Sequence, residues 1–206
     1  MDKQATPLEG KSLRLLLVYI GICFLIWCGA LFVFPAAEIM RSGLKIIVWL
    51  VPLHLLMRRQ HKPAAWKVDI KQHWKPILSV LAVFLLYFLF RGQLLARRGI
   101  HSFSASFFLN VILIAPPVEE MIFRGIIFQQ FAQKLPFWQV NLSSSVIFTI
   151  YHIPLWLARN HGLDLATILW VLTASTLFGW IFWKTKSLGA GTIVHSLHNL
   201  FLKMLM

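Results

Sequence analysis

The chain alternates long apolar runs with short polar ones. Apolar runs extend from about Leu13 to Phe34, Leu44 to Met57, Pro76 to Leu95, Phe103 to Gln133, Phe137 to Leu157, Leu165 to Trp183 and Leu188 to Met206. A helix needs about 20 predominantly apolar residues to cross the hydrocarbon core of a bilayer. The pattern therefore predicts an all-α, polytopic membrane helix bundle of about seven transmembrane helices. The second run is short and contains Lys45 and Pro52, which suits a tilted or kinked span. In the fourth run, Pro116-Pro117 should kink the helix.

The polar runs suggest an orientation. The segment from Arg58 to Lys75 carries Arg58, Arg59, Lys62, Lys67, Lys71 and Lys75 against a single Asp69, so it should be cytoplasmic. Trp66 and Trp74 within it suit an interface. Lys184 and Lys186 mark another cytoplasmic turn, and polar residues 1–12 form a cytoplasmic N-terminal tail. Arg91, Arg97 and Arg98 run against this scheme, because strict alternation puts them outside. The first run is long enough to span and has no clear cleavage pattern after it, so it does not read as a signal peptide.

Composition sharpens the class. Of 206 residues, 58% are hydrophobic, against about 45–50% in ordinary soluble domains. The net charge of +13 comes with no glycine-rich phosphate loop and no basic groove interleaved with aromatics, so nucleic acid is not an expected partner. Orientation and attraction to anionic lipids account for the charge better. Cys23 and Cys28 both lie in the first apolar run and read as packing residues.

Candidate chemistry lies in polar groups at membrane depth. Glu119 and Glu120 are two of only seven acidic residues, and they sit inside the fourth apolar run. An ionisable group there costs several kcal/mol, which marks it as functional by default. On a helix, Glu120 and Arg124 are four residues apart with the acid N-terminal, so they can pair. Glu119 points about 100° away from Glu120. A structural ion-pair cluster tying helices together is the plainer alternative. His152 lies in the fifth run and His195, His198 and Asn199 in the last. A lone intramembrane histidine or asparagine is more often a hydrogen-bonding packing residue. Together, however, three helices supply carboxylate, imidazole and carboxamide, a set that contains a base, a proton relay or ligand, and oxyanion donors. Small residues at helix interfaces explain Ser143, Ser144 and Ser145, and Asp164 reads as a helix cap.

Three motifs carry a resemblance. Glu119-Glu120-Met121-Ile122-Phe123-Arg124-Gly125 matches a Glu-Glu-x-x-x-Arg motif, Phe148 to His152 a Phe-x-x-x-His motif, and His195 to Asn199 a His-x-x-x-Asn/Asp motif. In this order, on separate apolar helices, they resemble the CPBP/Abi family of intramembrane proteases. That family includes the type II CAAX prenyl endopeptidases and bacteriocin-processing or immunity proteins. The resemblance covers about residues 100–200. It divides the chain into N-terminal membrane helices, 1–99, and a catalytic core, 100–206, within one bundle.

The resemblance implies an endopeptidase with Glu119, His152, His195 and Asn199 as catalytic residues. The first glutamate and a histidine would activate water, and the second histidine and the asparagine would stabilise the oxyanion. Glu120 and Arg124 would support the site. No metal or other cofactor is expected on this reading, although two histidines and a glutamate could also bind zinc. The implied substrate is a membrane protein or lipid-anchored peptide. The implied location is the inner membrane of a bacterial or archaeal cell. A non-catalytic immunity or scaffold protein and a proton-coupled transporter are the rival readings. Depth constrains all of them. A fourth span starting at Phe103 would put Glu119 about 24 Å along it, far from His195, whereas a start near Asn110 brings the motifs together.

Overall fold

The computed structural model describes residues 10–33, 43, 46–47, 51, 66–90, 104–105, 108–158 and 163–205. The described elements are all helical. Helix α1 spans Gly10–Val33 and α2 spans Ile70–Phe90. A continuous helical run over 108–131 then changes its winding. It begins as a π-helix, π1 (Phe108–Ile114), continues as α3 (Ala115–Ile122) and π2 (Phe123–Phe128), and ends as α4 (Gln129–Phe131). Helices α5 (Phe137–Ala158), α6 (Leu165–Thr185) and α7 (Leu188–Leu205) complete the described chain.

Among the described residues, α2, α5 and α6 are long and apolar enough to cross a membrane, and α1 contributes a shorter apolar stretch, Leu17–Leu31. Their outer faces carry exposed large apolar side chains such as Leu85, Leu86, Phe90, Leu142 and Leu169. The expectation of about seven spans is thus met in part. The second expected run and the arginines at 91, 97 and 98 fall largely or wholly outside the described residues, as do the tail 1–9 and basic residues 58, 59 and 62. Cys23 is buried, and neither Cys23 nor Cys28 is in a disulfide.

Pro116 and Pro117 do not break the helix. They occupy the first turn of α3, directly after π1. Neither has an N–H, so carbonyls one turn earlier lose their donors. The last helix supplies replacements: Asn199 Nδ2 donates to the Val111 carbonyl (3.1 Å) and Ser196 Oγ to the Ile112 carbonyl (2.9 Å). In the second loosened stretch, Ser144 Oγ on α5 donates to the Phe123 carbonyl (3.1 Å).

Small residues let α5 and α6 approach closely. Asn141 Nδ2 donates to the Thr176 carbonyl (3.0 Å), and its amide oxygen lies against Gly179, where a Cβ would collide with it. Asp164 caps α6 as expected, accepting from the backbone N–H groups of Ala166 and Thr167.

Two apolar cores flank the centre. On one side, Cys23, Trp27 and Leu31 of α1 pack with Ile122, Phe123, Phe148 and Tyr151. On the other, Phe84 and Phe88 of α2 pack with Trp170, Phe178, Ile181 and Val194. The Glu119–Glu120 pair lies between them.

At one end of the bundle, Phe137 stacks on Trp183 (4.3 Å between centroids) and Ser187 Oγ donates to the Lys67 carbonyl (2.8 Å). The start of α2, the turn before α5 and the α6–α7 turn therefore meet there. That end carries Lys67, Lys71, Lys75, Lys134, Lys184 and Lys186. Lys184 and Lys186 sit over the Trp183 ring and Lys75 over Trp74.

Candidate active site

Glu119, Glu120 and Arg124 are all buried, Glu120 and Arg124 completely. Arg124 Nη1 donates to Glu120 Oε1 at 3.3 Å, the i, i+4 pair expected from spacing. Its Nη2 reaches α6, donating to both the carbonyl (2.5 Å) and the hydroxyl (2.7 Å) of Ser175. The guanidinium carbon lies 5.1 Å from the Phe148 ring centre and 5.7 Å from that of Phe178. Two aromatic faces and an ion pair thus share one cation.

His195 lies between the two glutamates. Its Nδ1 is 3.0 Å from Glu120 Oε1 and its Nε2 is 3.7 Å from Glu119 Oε2. Phe178 stacks on the imidazole at 4.4 Å and 19°, fixing the ring plane. Glu120 Oε1 therefore takes both Arg124 and His195, while its Oε2 finds no donor among the described residues. Gly191, one turn before His195, faces that oxygen. A Cβ there would sit 3.0 Å from Oε2.

His152 sits on α5. Its Nδ1 lies 2.8 Å from the Phe148 carbonyl. A carbonyl only accepts, so Nδ1 carries the hydrogen and, in the neutral ring, Nε2 carries the lone pair. Phe148 stands between the two imidazoles, 4.5 Å from that of His152 and 5.9 Å from that of His195. Counted from Phe108, the first residue of π1, Glu119 lies about 17 Å along the helix at the α-helical rise. His195 lies about 10 Å into α7.

His198 does not join this cluster. Trp170 Nε1 donates to its Nε2 at 3.1 Å, and its Nδ1 lies 3.3 Å from Asn199 Oδ1. Among the described residues, no three His, Cys, Asp or Glu side chains are grouped so as to hold a metal ion. Sequence reasoning missed Ser175 and Gly191. Neither carries a chemical signal of its own, and their roles come from helix contacts.

The described residues thus form an all-helical bundle with three membrane-length helices and a buried acid–imidazole–guanidinium cluster. Residues 100–201 match the family model for type II CAAX prenyl endopeptidase Rce1-like proteins, and over these residues the chain belongs to that family of proteases. It is an integral membrane protein of protease type. No curated protein and no solved structure matches the chain.

Proposed function

We propose that this protein is an intramembrane endopeptidase in which Glu119 activates water to cut a peptide bond of a membrane-associated or lipid-anchored protein. One observation carries the reading. Two buried carboxylates approach the two nitrogens of His195, and Glu120 is the one held by a guanidinium. Glu120 with Arg124 then fixes and charges the imidazole, and Glu119 takes the proton.

Geometry supports these roles. Carboxylate oxygens only accept, so the His195 nitrogens that face them act as donors. Glu119 removes a proton from water, and the hydroxide adds to the scissile carbonyl. The loss of charge on Glu119 loosens its hold on His195 Nε2–H, which turns to the oxyanion together with an Asn199 Nδ2–H. The lone pair on His152 Nε2 suits the second hydrogen of the attacking water. Collapse breaks the C–N bond, and Glu119 returns its proton to the leaving amine. No step in this sequence passes through a metal.

The family points to a substrate anchored by a lipid near its C-terminus. The lysine- and tryptophan-rich end suits an anionic cytoplasmic leaflet, with the N-terminus on the same side of a bundle of about seven spans. The site lies about 10 Å from that end along α7, within reach of a tail entering from the cytoplasmic surface.

The test uses an internally quenched farnesylated peptide ending in a C-a-a-X sequence, alongside cleavage mapping of lipid-anchored proteins from the native membrane. Glu119→Gln keeps the shape of the side chain but cannot take a proton. Turnover should fall about 10²–10⁴-fold with the fold intact. Turnover close to that of the parent would sink the assignment.

A further inference from the structure

Asn199 is held by a chain of hydrogen bonds that begins at Trp170, 28 residues upstream of His198 and outside the three motifs. An indole N–H only donates, so the 3.1 Å contact from Trp170 requires a lone pair on His198 Nε2. The hydrogen of His198 is then on Nδ1, which donates to Asn199 Oδ1 at 3.3 Å. At the other end, the Val111 carbonyl only accepts, so the atom 3.1 Å from it is the Asn199 amide nitrogen. Two independent constraints thus give the same amide orientation.

The geometry points to Trp170 and His198 as positioning residues that hold the Asn199 carboxamide with its N–H₂ on the side of π1 and its oxygen away from it. This deepens the proposed peptidase mechanism and rests on it, because Asn199 is there an oxyanion donor. One amide hydrogen is spent on the Val111 carbonyl, which Pro116 and Pro117 leave short of donors. The second hydrogen can serve an oxyanion only while the oxygen is kept from turning round. His198 supplies that restraint, and its own tautomer is set by Trp170.

The restraint is itself buttressed. Tyr87 stacks on Trp170 at 10° with ring centres 3.4 Å apart, and Phe84 lies 4.7 Å from the His198 ring. Both belong to α2, before the family-matched segment. Helix α2 therefore acts on the reaction through Trp170 and His198 without touching the reacting atoms.

Turnover of the farnesylated probe separates this lock from ordinary packing. Trp170→Phe keeps a ring against Tyr87 but loses the N–H. It should lower kcat about 10-fold with KM unchanged. The same change made on Asn199→Ala should cost nothing further, because there is no amide left to orient. His198→Gln, which keeps an acceptor and a donor, should retain more activity than His198→Phe. A full additional loss from Trp170→Phe in the Asn199→Ala background would overturn the inference. If Glu119→Gln also turns over normally, the peptidase reading falls rather than the lock alone. A second measurement does not need turnover. Nitrogen-15 NMR of histidine-labelled protein in detergent should show His198 as the neutral Nδ1–H form, shifting toward Nε2–H in Trp170→Phe. An Nε2–H form in the parent would overturn the inference.

Discussion

Arg124 on π2 and Ser175 on α6 are joined twice, through the serine carbonyl and its hydroxyl, across 51 residues of sequence. The contact ties the helix carrying the glutamates to the helix carrying Phe178. It also explains how a fully buried guanidinium is tolerated, since a buried charge needs both a counter-ion and hydrogen bonds.

Removing the guanidinium should therefore be a stability lesion first. Arg124→Ala leaves Glu120 charged and poorly partnered, at a cost of about 3–5 kcal/mol. Ser175→Ala removes the hydroxyl and keeps the carbonyl, and should cost about 1–2 kcal/mol. Thermal unfolding in detergent should rank Arg124→Ala below Ser175→Ala, and both below Glu119→Gln. Equal stability for Arg124→Ala and Glu119→Gln would contradict the pairing.

Two glycines should respond in opposite ways to alanine. At Gly125, within the Phe-Arg-Gly sequence, a Cβ meets Leu188 methyl carbon at 3.4 Å, an ordinary contact. Alanine favours a helix by about 1 kcal/mol over glycine, so Gly125→Ala should be neutral or stabilising. At Gly191 the Cβ presses on Glu120 Oε2, whose carboxylate is held on its other oxygen by Arg124 and His195. Gly191→Ala should fold yet lose activity about 10-fold or more, the scale set by one disturbed charged hydrogen bond. Normal activity in Gly191→Ala would show that Glu120 can move without consequence.

Chelation separates two chemistries. In the proposed mechanism Glu119 takes the proton and His152 and His195 orient water and oxyanion, so turnover should survive dialysis against a strong chelator. A catalytic zinc site usually takes three protein ligands and a water. Turnover that is lost and then restored by stoichiometric zinc, with matching bound metal, would replace the glutamate mechanism.

Much of this arrangement is visible in the chain because it is local. The Glu120–Arg124 pair follows from i, i+4 spacing, the Asp164 cap from its place before an apolar run, and the helical class from run length. Spacing alone lets His198 share a helix face with His195, three residues away. The structure gives it to Trp170 instead, a contact no periodicity encodes. Nothing in the local sequence singles out Ser175, whose role comes from Arg124 reaching it. Asn199 reads as a motif residue in the chain, and its bond to the Val111 carbonyl appears only once two prolines have stripped donors from that turn. Groups that depend on backbone left unsatisfied elsewhere cannot be recognised from their own neighbours.

The two loosened stretches around Glu119–Glu120 amount to stored insertions. A π turn holds its carbonyls to donors five residues on rather than four, so it carries one residue more than an α turn. Shortening the chain by one residue within 108–114 or 123–128 can be absorbed by tightening to α winding. The same deletion between 115 and 122 has no slack to draw on. It would swing the residues on one side by about 100° relative to the other. The tolerance of this helix to length change is thus uneven along its course, and it is smallest where the two glutamates stand.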